Sequence, residues 1–84
     1  MTARLRLPRI LAQAVDDQTS FQVEGSNVAE ALDSLFGQKP GLRNHILDEA
    51  GAIRPHVSVF VDGVQADLAD DVGERTDIRI LQAV

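Results

Sequence analysis

The sequence predicts an α+β fold, a sheet of four or five strands with one main helix across one of its faces. Three observations predict it. Residues 27–36 repeat apolar side chains at helical spacing. Two segments with strand periodicity, 3–7 and 19–24, precede that helix, and two more, 57–61 and 77–82, follow it. Those four alternate apolar and polar residues, the period-2 pattern of half-buried strands.

Taken in order, Ala3-Arg4-Leu5-Arg6-Leu7 alternates strictly and places Leu5 and Leu7 toward a core. Pro8 has no N–H to donate and ends the strand or sets it at an edge. Ile10, Leu11 and Val15 are expected to pack in the connection that follows, and Asp16-Asp17-Gln18 is a polar turn. Thr19 to Glu24 puts Phe21 and Val23 on one face, so the first two strands read as a hairpin with a long loop. Gly25-Ser26-Asn27 breaks the strand. Asn27 followed by Glu30 fits a capping box, in which the Asn side chain accepts the N3 amide and the Glu reaches back. Val28, Ala31, Leu32, Leu35 and Phe36 then form one apolar stripe, and Gly37 is the expected C′ residue.

Pro40 opens a second short helix through Leu42, Ile46 and Leu47, ended near Gly51. Val57-Ser58-Val59-Phe60-Val61 is a strand, Asp62-Gly63 a tight turn, and Val64 to Leu68 a further short strand. Asp67, Asp70, Asp71 and Gly73 make an acidic loop before the last strand, 77–82. A strand so near a chain end is held only by pairing, which points to a central or closing position in the sheet.

With 84 residues the chain is read as one domain, residues 1–84. Hydrophobic content of 44% and charged content of 25% describe an ordinary globular balance. The net charge of −5 argues against phosphate neutralisation and hence against nucleic-acid binding. It would steer a partner protein bearing a basic patch, although solubility alone is the plainer account. No apolar run suits a signal peptide or a membrane span, so a soluble, cytoplasmic protein is expected. There are no cysteines, which removes disulfides, thiolate ligands and side-chain persulfides.

The glycines are too widely spaced for a phosphate cradle. His45 and His56 have no companion ligands at metal-site spacing, and His56 is expected to be exposed at a strand entry. Asp67, Asp70 and Asp71 lack the glycine and closing glutamate of a calcium loop. The serines have no nucleophile context. No catalytic constellation emerges, so the chain is not expected to be an enzyme, and no metal or cofactor-binding residues are assigned.

Four stretches together resemble the ThiS/MoaD sulfur-carrier family: 27–36 (Asn-Val-Ala-Glu-Ala-Leu-Asp-Ser-Leu-Phe), 40–43 (Pro-Gly-Leu-Arg), 57–63 (Val-Ser-Val-Phe-Val-Asp-Gly) and 77–84 (Asp-Ile-Arg-Ile-Leu-Gln-Ala-Val). The resemblance implies the ubiquitin-like β-grasp fold, a mixed four- to five-stranded sheet packed on one main helix. Its first and last strands would then be parallel neighbours at the sheet centre. It also implies a function. An adenylating, ubiquitin-activating-like enzyme uses ATP to activate the C-terminal carboxylate, and sulfur then replaces the adenylate to give a thiocarboxylate. That group donates sulfur in molybdopterin, thiamin or other sulfur-metabolite biosynthesis. No cofactor is bound by the carrier itself; the ATP belongs to the partner. The absence of cysteine agrees with a sulfur held on the carboxylate.

Family members end in Gly-Gly, and this sequence stops at Val84 after Gln82 and Ala83. Two residues supply about 7 Å of reach, and glycine lets the backbone approach a nucleotide site closely. A shortened chain, a precursor state and a relative that no longer carries sulfur each account for the difference; the family-like strand favours a carrier whose tail is missing. An alternative role is a non-conjugating binding or regulatory subunit, such as the small subunit of a synthase complex. Alternation turns Phe60 and Leu81 outward on the face without the helix, with Pro8 and Arg6 nearby. An outward Phe beside an outward Leu is a candidate anchor for a partner: the adenylating enzyme, a synthase large subunit or a sulfur-accepting enzyme. The plainer readings are a homodimer contact or scattered surface hydrophobes; partner docking is favoured over both, and a monomer or weak dimer is expected.

Overall fold

The computed structural model describes residues 2–73 and 76–82. Strands β1 (Thr2–Arg6) and β2 (Ser20–Glu24) form an antiparallel pair. Between them lie a short helix α1 (Arg9–Ala12) and a 3-10 turn (Gln13–Val15). The main helix α2 (Val28–Gln38) follows, then a 3-10 turn (Pro40–Leu42) and the short α3 (Arg43–Ile46). Strands β3 (Val57–Val61), β4 (Val64–Ala66) and β5 (Asp77–Gln82) complete a five-stranded sheet of order β2-β1-β5-β3-β4. The last strand is therefore central, parallel to β1 on one side and antiparallel to β3 on the other. This is the arrangement that the resemblance implies.

One face of the sheet supplies the core. Ala3 and Leu5 of β1, Phe21 and Val23 of β2, Val57 and Val59 of β3, and Ile78 and Ile80 of β5 are buried. They pack with Val28, Ala31, Leu32, Leu35 and Phe36 of α2 and with Leu42, Ile46 and Leu47. The period of 2 in the strands and the helical stripe thus meet in one cluster. In the connection after β1, Leu11 and Val15 are buried but Ile10 is 52% exposed. Four residues make little more than one turn, so α1 can turn only part of its circumference inward.

Asn27 caps α2 as expected, its Oδ1 accepting the Glu30 N–H at 2.8 Å. Glu30 does not close the box onto Asn27. Its carboxylate accepts from the Ser26 N–H at 2.7 Å and the Ser26 hydroxyl at 2.8 Å. Residues 26–27 instead pair with the acidic loop, through a bridge between Asn27 and Asp71 and a bond from Val72 N–H to Ser26 O. The same loop satisfies the first amides of the helix, with Val28 N–H donating to Asp70 O and Ala29 N–H to Leu68 O. Those amides have no partner inside the helix, so the 67–72 segment is a main-chain cap for α2. Gly37 is not the C′ residue. The helix runs through it to Gln38, and Gly37 has no positive φ. Gln38 is held in place by donating from Nε2 to Gln22 O at 2.8 Å.

The second helical region is shorter than the sequence suggests. Leu47 is already extended, and Asp48 Oδ1 accepts the N–H groups of Ala50 and Ala52, which builds a side-chain-closed turn around Gly51. Asp62 and Gly63 both have positive φ, 50° and 85°, between the paired Val61 and Val64. That is the two-residue hairpin turn whose twist matches the flanking strands.

Candidate functional site

Among the described residues no helix covers the sheet face opposite α2. Arg4 and Arg6 of β1, Arg79 and Leu81 of β5, and Ser58 and Phe60 of β3 alternate with the buried residues and so lie on this face. Register aligns them across strands. Gln65 pairs with Phe60, Phe60 with Arg79, Arg79 with Arg6, and Arg6 with Ser20. Leu81 stands opposite Ser58 and diagonal to Phe60, within reach of an aromatic ring. Phe60 and Leu81 line one shallow concavity together with Asp62, Gly63, Asp77 and Arg79.

Leu81 is 44% exposed. Phe60 is half-buried rather than exposed, because the large side chains of a pleated face shield one another. Arg6 is exposed and lies on the same row as Phe60, one strand beyond Arg79. Pro8, half-buried, follows two residues after Arg6, past the end of β1. Gln82 closes β5 opposite Val57 on the helix side; Ala83 and Val84 lie outside the described residues.

Charge on this face differs from that of the chain as a whole. Arg4, Arg6 and Arg79 stand against Asp62, Asp77 and Glu24, a balanced set on a chain whose net charge is −5. The face therefore lacks the acidic excess that the net charge of −5 suggests for the chain as a whole. Asp77 is bound on two sides. Its N–H donates to Asp62 Oδ1 at 3.0 Å, and its carbonyl accepts the Asp62 N–H at 2.9 Å, which ties the start of β5 to the hairpin turn. Its carboxylate lies 3.3 Å from Arg6 Nε. That contact is an ion pair without hydrogen-bond alignment, since Asp77 Oδ1 has no hydrogen-bond partner among the described residues. With both side chains over a third exposed, such a pair is worth about 0–1 kcal/mol and serves to orient Arg6.

Arg4, Arg79, Asp62 and Asp77 escaped the sequence-based selection. Alternation gives the face of Arg79, but the row that joins Arg6, Arg79 and Phe60 depends on the parallel β1–β5 register, which no turn encodes. His45 and His56 are both exposed, His56 immediately before β3. In the helix-capping loop the Asp70 N–H donates to Asp67 O at 3.1 Å, and Asp70 Oδ2 accepts the Asp67 N–H at 2.7 Å. Among the described residues no helix is long and apolar enough to cross a membrane.

The arrangement matches solved structures over nearly the full chain. SAMP1 from Haloferax volcanii superposes with a TM-score of 0.92 at 22% identity, covering 100% of this chain and 97% of that one. The chain has the ubiquitin-like β-grasp fold. A chain of the Amycolatopsis orientalis BexX/CysO complex matches with a TM-score of 0.91 at 21% identity, covering 98% and 96%. A chain of the complex of subunits 1 and 2 of the molybdopterin-converting factor from Helicobacter pylori matches at 0.64 and 16%, covering 100% and 96%. No protein-family model and no curated protein sequence matches the chain. The resemblance to the ThiS/MoaD proteins therefore holds at the level of the fold.

Proposed function

We propose that this chain is a sulfur-carrier protein whose C-terminal end is activated by a partner enzyme. The observation that carries the reading is the position of β5. It is the central strand, paired on both sides, and it reaches to within two residues of the C-terminus of the sequence. A strand paired on both sides gives the C-terminal carboxylate a fixed base from which to be presented to another protein's active site. The similarity to SAMP1 and to the chain from the BexX/CysO complex supports the same reading.

The terminal carboxylate attacks the α-phosphorus of ATP and expels pyrophosphate. Hydrosulfide supplied by a partner then attacks the acyl carbon, AMP leaves, and loss of the S–H proton leaves the thiocarboxylate. ATP and sulfur come from partners, and this chain supplies the carboxylate and the docking face. Phe60 and Leu81 act as the apolar anchor, with Arg6 and Arg79 meeting acidic groups of the partner and Pro8 at the rim. The setting is cytoplasmic, and the carrier itself is not an enzyme.

A second reading is a non-conjugating subunit that uses the same face. It is favoured by the fold match to a molybdopterin-converting factor solved as a two-subunit complex. Pyrophosphate exchange separates the two. With Gly-Gly appended after Val84, the chain should stimulate ATP–pyrophosphate exchange by an adenylating enzyme of this class, and the chain ending in Val84 should not. Binding without exchange by the extended form would select the non-conjugating subunit.

A further inference from the structure

Strand β2 is an outermost strand of the sheet, and its free edge is closed by side chains of the same molecule. Ser20, Gln22 and Glu24 turn their main-chain groups away from β1, since antiparallel pairing alternates inward and outward residues. Several of these outward groups are already bonded. Gln18 Nε2 donates to Ser20 O at 3.0 Å, Gln38 Nε2 donates to Gln22 O at 2.8 Å, and the Glu24 N–H donates to Ser34 Oγ at 3.1 Å. Ser34 and Gln38 sit four residues apart and so share one face of α2. The opposite edge, β4, has only three residues and is protected by its shortness.

We propose that Gln18, Ser34 and Gln38 form an edge guard over a latent interface at which two copies of this chain would join β2 to β2, antiparallel, in one continuous sheet. The occupant follows from the strand itself. With Gln22 set against Gln22 of a second copy, Ser20 meets Glu24, and each outward N–H faces an outward carbonyl. No like charges stand opposite each other on the open face, and Phe21 and Val23 stay beneath α2. In that ladder only the bonds from Ser20 N–H to Glu24 O form freely. The Gln22 pair requires Gln38 to let go, and the bond from Glu24 N–H to Ser20 O requires both Ser34 and Gln18 to do so. An unguarded edge of this length is a template for strand addition.

The test is sedimentation equilibrium of the Gln18→Ala/Ser34→Ala/Gln38→Ala triple variant over a concentration series, beside the unaltered chain. The two substitutions in α2 introduce the best helix former, so the helix is retained. The variant should dimerise at a concentration at least about tenfold lower than the unaltered chain, with the Ser20 and Gln22 amides exchanging more slowly as the dimer fills. A folded variant that self-associates no more than its parent would overturn the proposal, as would a dimer in which those amides exchange as in the monomer. Hydrogen exchange on the unaltered monomer tests the guard without any variant. The Glu24 amide, held by Ser34, should exchange more slowly than the outward Gln22 amide, and equal rates would refute the guard.

Discussion

Replacing Val59 and Phe60 separately by alanine tests the two faces of the sheet with one pair of variants. Val59 is 1% exposed, set between Ala66 of β4 and Ile80 of β5 on the core side. Val59→Ala removes two buried methyl groups. At about 0.8 kcal/mol for each buried carbon and with a cavity term added, the loss is about 2–3 kcal/mol. In a domain of this size each kcal/mol moves Tm by about 4–8 °C, so the melt should fall by roughly 10–20 °C by the same scaling. Phe60 is half-buried on the other face, so part of its ring gains nothing from folding. Phe60→Ala should cost about 1 kcal/mol of stability. Against the adenylating partner the order reverses. Loss of a central anchor costs about 2 kcal/mol or more, which weakens binding more than tenfold at about 1.4 kcal/mol per decade. Val59→Ala should bind as the parent does wherever it remains folded. Scanning calorimetry and isothermal titration calorimetry give the two numbers for each variant. If Phe60→Ala melts lower than Val59→Ala, or Val59→Ala alone loses the partner, the assignment of faces is wrong.

Three further outcomes follow from the backbone and from Glu30. Gly37→Ala should stabilise the chain by about 0.5–1 kcal/mol, because Gly37 is helical and a Cβ there meets nothing within 4 Å; chemical denaturation measures it. Gly25→Ala should destabilise by about 1–3 kcal/mol, the cost of overpacking, because φ is +156° and a Cβ would come within 2.7 Å of Ala31 N; the same denaturation curves serve. The Glu30 carboxyl is held below its ordinary value of 4.5, first by the Ser26 N–H bond and then by the Ser26 hydroxyl. The native state then binds fewer protons than the unfolded one, so this contribution is present above about pH 4.5 and fades as pH falls through the folded value. Glu30→Gln should flatten that part of the stability–pH profile, and an unchanged slope would count against the Ser26 bonds.

Much of the fold was legible because local periodicity and the final packing agree. The stripe from Val28 to Phe36 and the alternation through Val57–Val61 and Ile78–Gln82 both point at the same core. Asp62-Gly63 marked its turn for the conformational reason that the structure shows, positive φ at both residues. What escaped is non-local. Asp70 and Leu68 cap α2 through carbonyl oxygens, and main-chain caps leave no side-chain signature. Gly37 read as a stop, yet Gln38 is held on β2 by a contact across 16 positions, and tertiary anchoring outweighs a helix propensity penalty of about 1 kcal/mol. For the candidate site, alternation gave the outward direction of Phe60 and Leu81. The row through Arg79 and Arg6 required the parallel register of β1 on β5.

The most direct measurement of the carrier role is the intact mass of the chain after reaction. The chain extended by Gly-Gly is incubated with an adenylating enzyme of this class, ATP and a sulfur donor, and its mass is compared with that of the chain ending in Val84. The account predicts that the extended form gains the mass difference between sulfur and oxygen at its C-terminus and that the Val84 form is unchanged. An extended form whose mass does not change, though the same enzyme preparation converts its own carrier, would contradict the account.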